Sequence, residues 1–343
     1  MNFSGYVNTT AIESAFIEMY HLLLDYKRSR MGADILYVYN PTLMLMNEKP
    51  DDQLKSIERW GVYRAIKEHY FKNVYEIPKS KFSVNIKDEY YHTVKRTLSF
   101  GLLPIEKDVQ TEELINHFDY LFDHSIDQKP ISIHTEINIC PWDSTHHLLM
   151  VGLDVNQNRN SKKQLISSDG QTSLPLANNL STELQFNNEV VNRYRLIGYE
   201  NRLQLFGEKE RELTKPENVN TDLNVIALYE LVLHDTVRYN TDAANVMVSY
   251  ETSGSGRKKK IYKRVSINSS NAKPSWNFIL SSAVASYSML LRNSQYKGSA
   301  TYQSVIDQVL FIPDIEADEH WAEFLELVKK SKRISQEMEQ DPF

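Results

Sequence analysis

A single cysteine, Cys140, stands in 343 residues, so no disulfide can form within the chain. Glycine is also scarce, at 11 residues set mostly at turns. There is no phosphate-cradling glycine loop, no G-x-S-x-G elbow and no paired-histidine helix, which removes the commonest nucleotide-binding and hydrolytic signatures. No apolar run approaches the roughly 18 residues of a membrane-spanning helix. The opening MNFSGYVNTTAIESAF has neither a basic n-region nor an apolar h-region. A cytoplasmic location is therefore the expectation, with the cell envelope as the alternative if a leader has been removed. Positive charge is not in excess either. The 39 Lys and Arg stand against 45 Asp and Glu, for a net charge of −6 and a pI near 6.0. No global field draws the chain to nucleic acid.

What is present is apolar and aromatic content: 41% hydrophobic residues, 20 tyrosines and 13 phenylalanines, enough to fill the core of more than one domain. The chain is organised around residues 180–233. Glu183–Phe186 alternates, Arg193–Tyr199 is aromatic and branched, and Val225–Leu233 alternates with Val225, Ala227, Tyr229 and Leu231 on one face. Period-two patterning predicts three strands. Gly198 inside the second predicts a bulge or a close backbone approach.

Upstream, spacing predicts a helix over Ile12–Leu24, a strand at Ile35–Tyr39 and a helix over Leu54–Phe71, together a small N-terminal α/β unit spanning 1–75. A strand at Phe82–Ile86, helices over Glu89–Phe100 and Thr111–Leu121, and strands at Ile131–Ile139 and Leu148–Asp154 follow. Asn156–Asn179 is the most polar long stretch and reads as a surface loop. Asn245–Glu251 and Lys260–Ile267 read as a hairpin around Gly254–Gly256. Helices over Phe278–Arg292, Tyr302–Leu310 and His320–Ile334 precede a frayed tail at 336–343. The fold class is α+β, with a β-rich domain over 76–270 and C-terminal helices over 271–335.

His134, Glu136, Cys140, Asp143, His146 and His147 form the densest group of potential ligands. On a strand His134 and Glu136 share a face, and a turn could bring His146 near them. The spacing matches no standard zinc motif. Exposed strand faces, a Trp142 core plug and a small buried Cys140 account for the same residues. The expectation is no metal and no cofactor; His134, Glu136, Cys140 and His146 are the candidates should a metal bind. No catalytic residue is assigned. The basic run Arg257–Lys260, with Lys263 and Arg264, reads as a solvated hairpin flank rather than a phosphate site.

Several stretches resemble one known arrangement. FSVNIKDEYYHTVKRTLSFGLLP, TEELINHFDY and HTEINICPWDSTHHLLMVGL resemble the segment that precedes the von Willebrand factor type A (vWA) domain in a family of bacterial vWA proteins. That segment includes a PWN..H element, here Pro141, Trp142, Asp143 and His146. QFNNEVVNRYRLIGYENR, ALYEL and SSAVASYSMLLRNSQYKGSATYQSVIDQV resemble the block that follows the vWA domain in those proteins. The vWA domain itself is missing between them. Asp169-Gly170-Gln171-Thr172-Ser173 departs from the Asp-x-Ser-x-Ser of a metal-dependent adhesion site at Gln171. Asn85 and Lys87 stand where the family tends to have acids.

The resemblance implies that the two blocks fold onto each other as a β-sandwich or sheet built from segments before and after the 156–179 loop, with the C-terminal helices packed on it. It implies a non-enzymatic interaction or scaffold protein whose partner is another protein, with no nucleic acid and no membrane span. The alternative is a metal-dependent hydrolase or metal-binding protein using the His134–His147 cluster. Trp142, His146, Tyr194, Arg195, Tyr199, Glu200, Asn201, Arg202, Tyr229 and Glu230 are the residues expected to carry the architecture, with Arg195 or Arg202 pairing with Glu200 or Glu230. The sequence sets no oligomeric state.

Overall fold

The computed structural model describes residues 68–84, 86, 90–122, 131–155, 177–200, 217–219, 223–235, 240–252, 256–267 and 273–340. Of the two units into which the chain divides, Met1–Ala65 and Ile66–Phe343, all of these belong to the second. The helix and strand expected before residue 54 lie outside the described residues, as does most of the helix expected over Leu54–Phe71; residues 68–71 are in neither helix nor strand.

The strands are β1 (Lys72–Asn73), β2 (Lys79–Ser80), β3 (Ile131–Cys140), β4 (Asp143–Val155), β5 (Ala177–Phe186), β6 (Val191–Leu196), β7 (Glu217–Val219), β8 (Leu223–Leu233), β9 (Asp242–Thr252) and β10 (Lys258–Ser266). The helices are α1 (Tyr90–Ser99), α2 (Thr111–Ile115), α3 (Trp276–Leu291), α4 (Tyr302–Leu310) and α5 (Glu319–Gln340). One antiparallel sheet runs β1-β6-β8-β4-β3 and a second runs β10-β9-β5-β2, with β7 also pairing β5. The two sheets are built from strands on both sides of residues 156–176, as the sequence implies. The first takes β1, β3 and β4 from before them and β6 and β8 from after; the second joins β2 from before to β5, β7, β9 and β10 from after.

The alternation of β8 explains the layering. Val225, Ala227, Tyr229 and Leu231 point into a core shared with Leu184, Phe186, Val246 and Val248 of the second sheet. Ile226 and Leu228, one residue out of phase, pack with Leu148 and Met150 of β4 against the helices. The first sheet is therefore covered on both faces, and the described residues stack as sheet, sheet and helical layer. The helical layer is centred on α3, which buries nearly its whole circumference, consistent with a helix that is apolar all round. Its serines fit this burial because Ser281 and Ser282 return their hydroxyls to the carbonyls of Phe278 and Ile279.

Four expectations are corrected. The helix from Thr111 ends at Ile115 rather than Leu121. The next residue, Asn116, turns its amide to the backbone of β8, donating to the Ile226 carbonyl at 3.0 Å and accepting from the Ile226 amide at 2.7 Å. It thereby continues the sheet beyond the end of β6. Residues 81–84 form no strand. The Thr182 hydroxyl takes both the amide and the carbonyl of Phe82, and the strand lies earlier, at Lys79–Ser80. The polar 156–179 stretch yields its last three residues to β5, while 156–176 lie outside the described residues. The tail expected to fray from 336 stays helical to Gln340, with 341–343 outside the described residues.

Candidate functional site

Two linked polar clusters lie where the first sheet meets the helical layer. The first grows from a cross-strand pair. Arg195 of β6 stands directly opposite Glu230 of β8, so their side chains share a face. Both are buried, and the Arg195 Nη2 donates to Glu230 Oε2 at 2.5 Å with Nε at 3.2 Å from the same oxygen. The guanidinium lies 4.2 Å over the Tyr296 ring and 5.8 Å from the centre of Phe71. A guanidinium over an aromatic ring, paired at the same time with a carboxylate, suits arginine better than lysine. His146 of β4 reaches the other carboxylate oxygen, with Nδ1 at 2.6 Å from Glu230 Oε1 and at 3.4 Å from Asp143 Oδ2. Asp143 is half-exposed, and its Oδ1 accepts from the Thr145 amide at 2.9 Å and hydroxyl at 2.6 Å. The Thr145 hydroxyl, with the His146 ring beside it, holds the Asp143 carboxyl below its ordinary range.

The second cluster centres on Glu200, just beyond a tight bend. Gly198 and Tyr199 both have positive φ, at 82° and 71°. A Cβ on Gly198 would sit 2.9 Å from the Glu112 amide nitrogen, so the close approach foreseen at this glycine is real. Glu112 accepts the Tyr199 amide at 2.8 Å and so holds the left-handed tyrosine in place. Glu200 then accepts from Arg292 Nη1 at 3.1 Å and from the His69 amide at 3.3 Å. Burial opposes the Glu200 charge, yet Arg292 and His69 outweigh it and hold the carboxyl below its ordinary value. Loss of hydration lowers the His69 pKa, against the pull of Glu200.

These two shifts act in the same direction on stability. The folded pKa of His69 lies below its ordinary 6.5, so from about 6.5 downward the unfolded chain takes up a proton that the fold refuses. Glu200 adds a second loss as pH falls through its depressed folded pKa, in the acid carboxylate range. Urea unfolding from pH 7.5 to 4 should show stability falling on acidification. His69→Gln should remove the upper part of that fall and leave the lower part. A His69→Gln profile that still falls as steeply between pH 6.5 and 5.5 would contradict this.

The structure gathers the sequence-derived residues unevenly. Arg195 and Glu230 pair with each other, while Glu200 pairs with Arg292; Asn201 and Arg202 lie outside the described residues. Tyr194 and Tyr229 belong to the sandwich core, where their hydroxyls donate to the Lys79 carbonyl and the Ser80 hydroxyl and tie β2 across the sheets. Tyr199 reaches the Ile226 carbonyl at 3.3 Å. Trp142 is buried, and its carbonyl accepts the Ser299 amide at 2.9 Å and hydroxyl at 3.0 Å.

Of the potential ligands, only part converges. His134 stacks on Phe122 with centroids 4.5 Å apart. Glu136 accepts the Ser275 amide and hydroxyl, so it secures the N-cap of α3. His147, next to His146 on a strand, points to the opposite face. Burial and the Glu230 charge push the Cys140 thiol well above its ordinary range, which disfavours a thiolate nucleophile. Asp143, His146 and Glu230 are brought together. Sequence reading did not find Phe71, Tyr296, Arg292, Glu112 or Asn116. An arginine closing the apolar run of α3 is the one local signal that pointed to Arg292.

The fold and these clusters define a two-sheet α+β protein with a helical layer. Residues 58–150 match the family described as von Willebrand factor, and residues 171–334 match the family described as Uncharacterized protein YfbK, C-terminal. The chain is a vWA-related protein, matched in two parts on either side of residues 151–170. No curated protein and no solved structure matches it.

Proposed function

We propose that the chain is a non-enzymatic interaction or scaffold protein whose partner is another protein. A patch of large apolar side chains on the helical layer carries this reading. Trp276 opens α3 and meets Phe311, which follows α4, at 6.4 Å between centroids; Leu310 precedes Phe311, and the Leu121 carbonyl is bound by Asn277 at 2.8 Å. All four apolar residues are exposed, Leu121 at 90% and Phe311 at 71%. Such a grouping is the ordinary mark of a protein contact surface. Exposed Asp307 and Asp314 flank Phe311 and Asp119 precedes Leu121, so the complementary partner presents an apolar knob with basic neighbours. The buried ion pairs support a structural role for the polar clusters, since Arg195, Glu230, Arg292 and Glu200 neutralise one another. Hydrolysis at a metal held by the whole His134–His147 cluster has less support, because His134 stacks on Phe122, Glu136 caps α3 and His147 faces the other side of the sheet.

The test compares proteins captured by the wild-type chain and by a Trp276→Asp/Phe311→Asp variant, followed by reconstitution with the purified candidate. The variant should keep the wild-type melting temperature and lose the partner by tenfold or more in affinity. Equal binding by both, or concentration-dependent self-association that the variant abolishes, would overturn the hetero-partner reading.

A further inference from the structure

We propose that Asp143, His146 and Glu230 bind one divalent first-row transition metal ion. This goes beyond the scaffold reading and does not depend on it. The three residues offer one donor atom each, and the donor atoms lie within 4.8 Å of one another. Both carboxylates are aimed by what binds their other oxygen. Thr145 holds Asp143 Oδ1 through its amide and hydroxyl, which turns Oδ2 toward His146. Arg195 holds Glu230 Oε2, which leaves Oε1 for the same point. Outer contacts that fix the orientation of each ligand are what a preorganised metal site requires. Phe71, packed edge-on at 5.3 Å, limits rotation of the His146 ring.

The donor set selects the ion. One imidazole with two carboxylates suits zinc, manganese or cobalt, whereas calcium and magnesium favour all-oxygen shells. The two carboxylates face a single guanidinium, that of Arg195, so the site carries more negative than positive side chains of fixed charge sign. The side chains of Asp143 and His146 are 37% and 19% exposed, so an ion can enter from solvent and keep water in its remaining positions. The ion would tie the start of β4 to the end of β8, at the edge of the buried Arg195 pair.

The experiment titrates tag-free, chelator-treated full chain with Zn²⁺, Mn²⁺ and Co²⁺, using Mg²⁺ and Ca²⁺ as oxygen-seeking controls. The readouts are calorimetry, the melting temperature and the visible absorption of bound Co²⁺. Saturable binding of one ion per chain and a rise of several degrees in melting temperature are expected from at least one of the three. Asp143→Asn keeps an oxygen for Thr145 and should melt like the metal-free wild type, while weakening the ion tenfold or more. His146→Gln should weaken it similarly and abolish the Co²⁺ bands. Failure of all three ions to bind saturably would overturn the site. Undiminished binding by both variants would place the ion elsewhere and overturn it equally.

Discussion

Arg195→Ala is expected to lower the folding stability by about 3–5 kcal/mol, the range for removing one partner of a buried ion pair. The loss is large because of what remains. Glu230 stays buried between β4, β6 and α3, its Oε2 stripped of both guanidinium contacts. The Tyr296 ring also loses the flat cation stacked 4.2 Å above it. Glu230→Gln should be milder, because an amide oxygen can still accept from Arg195 while the uncompensated charge becomes that of a guanidinium. Replacing both residues by methionine should recover most of the loss, since well-packed apolar pairs often match buried ion pairs. Urea unfolding of the four proteins decides it. A loss under 1 kcal/mol for Arg195→Ala would mean that the pair is solvated.

Gly298→Ala is expected to be destabilising by about 3 kcal/mol, from left-handed backbone strain plus a steric clash. Gly298 has a φ of 49°, and a Cβ there would lie 2.2 Å from the Trp142 carbonyl oxygen. That oxygen cannot retreat without cost, because Ser299 holds it through both amide and hydroxyl. The contact joins the β3–β4 turn to the segment between α3 and α4, so the strain falls on Trp142 in the core of the helical layer. Gly256→Ala is the control. Its φ of 61° is as unfavourable, but nothing lies within 4 Å of the added methyl, so only about 1 kcal/mol should be lost. Equal melting temperatures for the two variants would remove the clash from the explanation.

Much of the sheet framework was legible in the sequence, because alternation reports directly on burial. The face of β8 carrying Val225, Ala227, Tyr229 and Leu231 is the clearest case, and it is the face that fills the sandwich. The joining of segments across residues 156–176 came from the resemblance to vWA-flanking blocks, not from periodicity. The polar clusters were less legible. Arg195 and Glu230 could be named as members of one sheet layer, but Glu200 meets Arg292 across 92 residues of sequence, and no local pattern records that distance. Asn116 was hidden for a related reason. It looks like a mid-helix residue, and only the free backbone of Ile226, 110 residues away, gives its amide something better to bind. Phe82 likewise alternates as a strand should, yet Thr182 satisfies its backbone through one hydroxyl.

The sandwich is shared between the two matched blocks, and a cut between them tests that sharing most directly. A specific protease site placed near residue 165 of the full chain allows the backbone to be nicked after folding. Size-exclusion chromatography and a thermal melt then follow the nicked protein. The two fragments should co-elute as one particle and unfold in a single transition, because each sheet draws strands from both sides of the cut. Fragments that separate without denaturant, or that melt in two independent transitions, would contradict the shared sandwich.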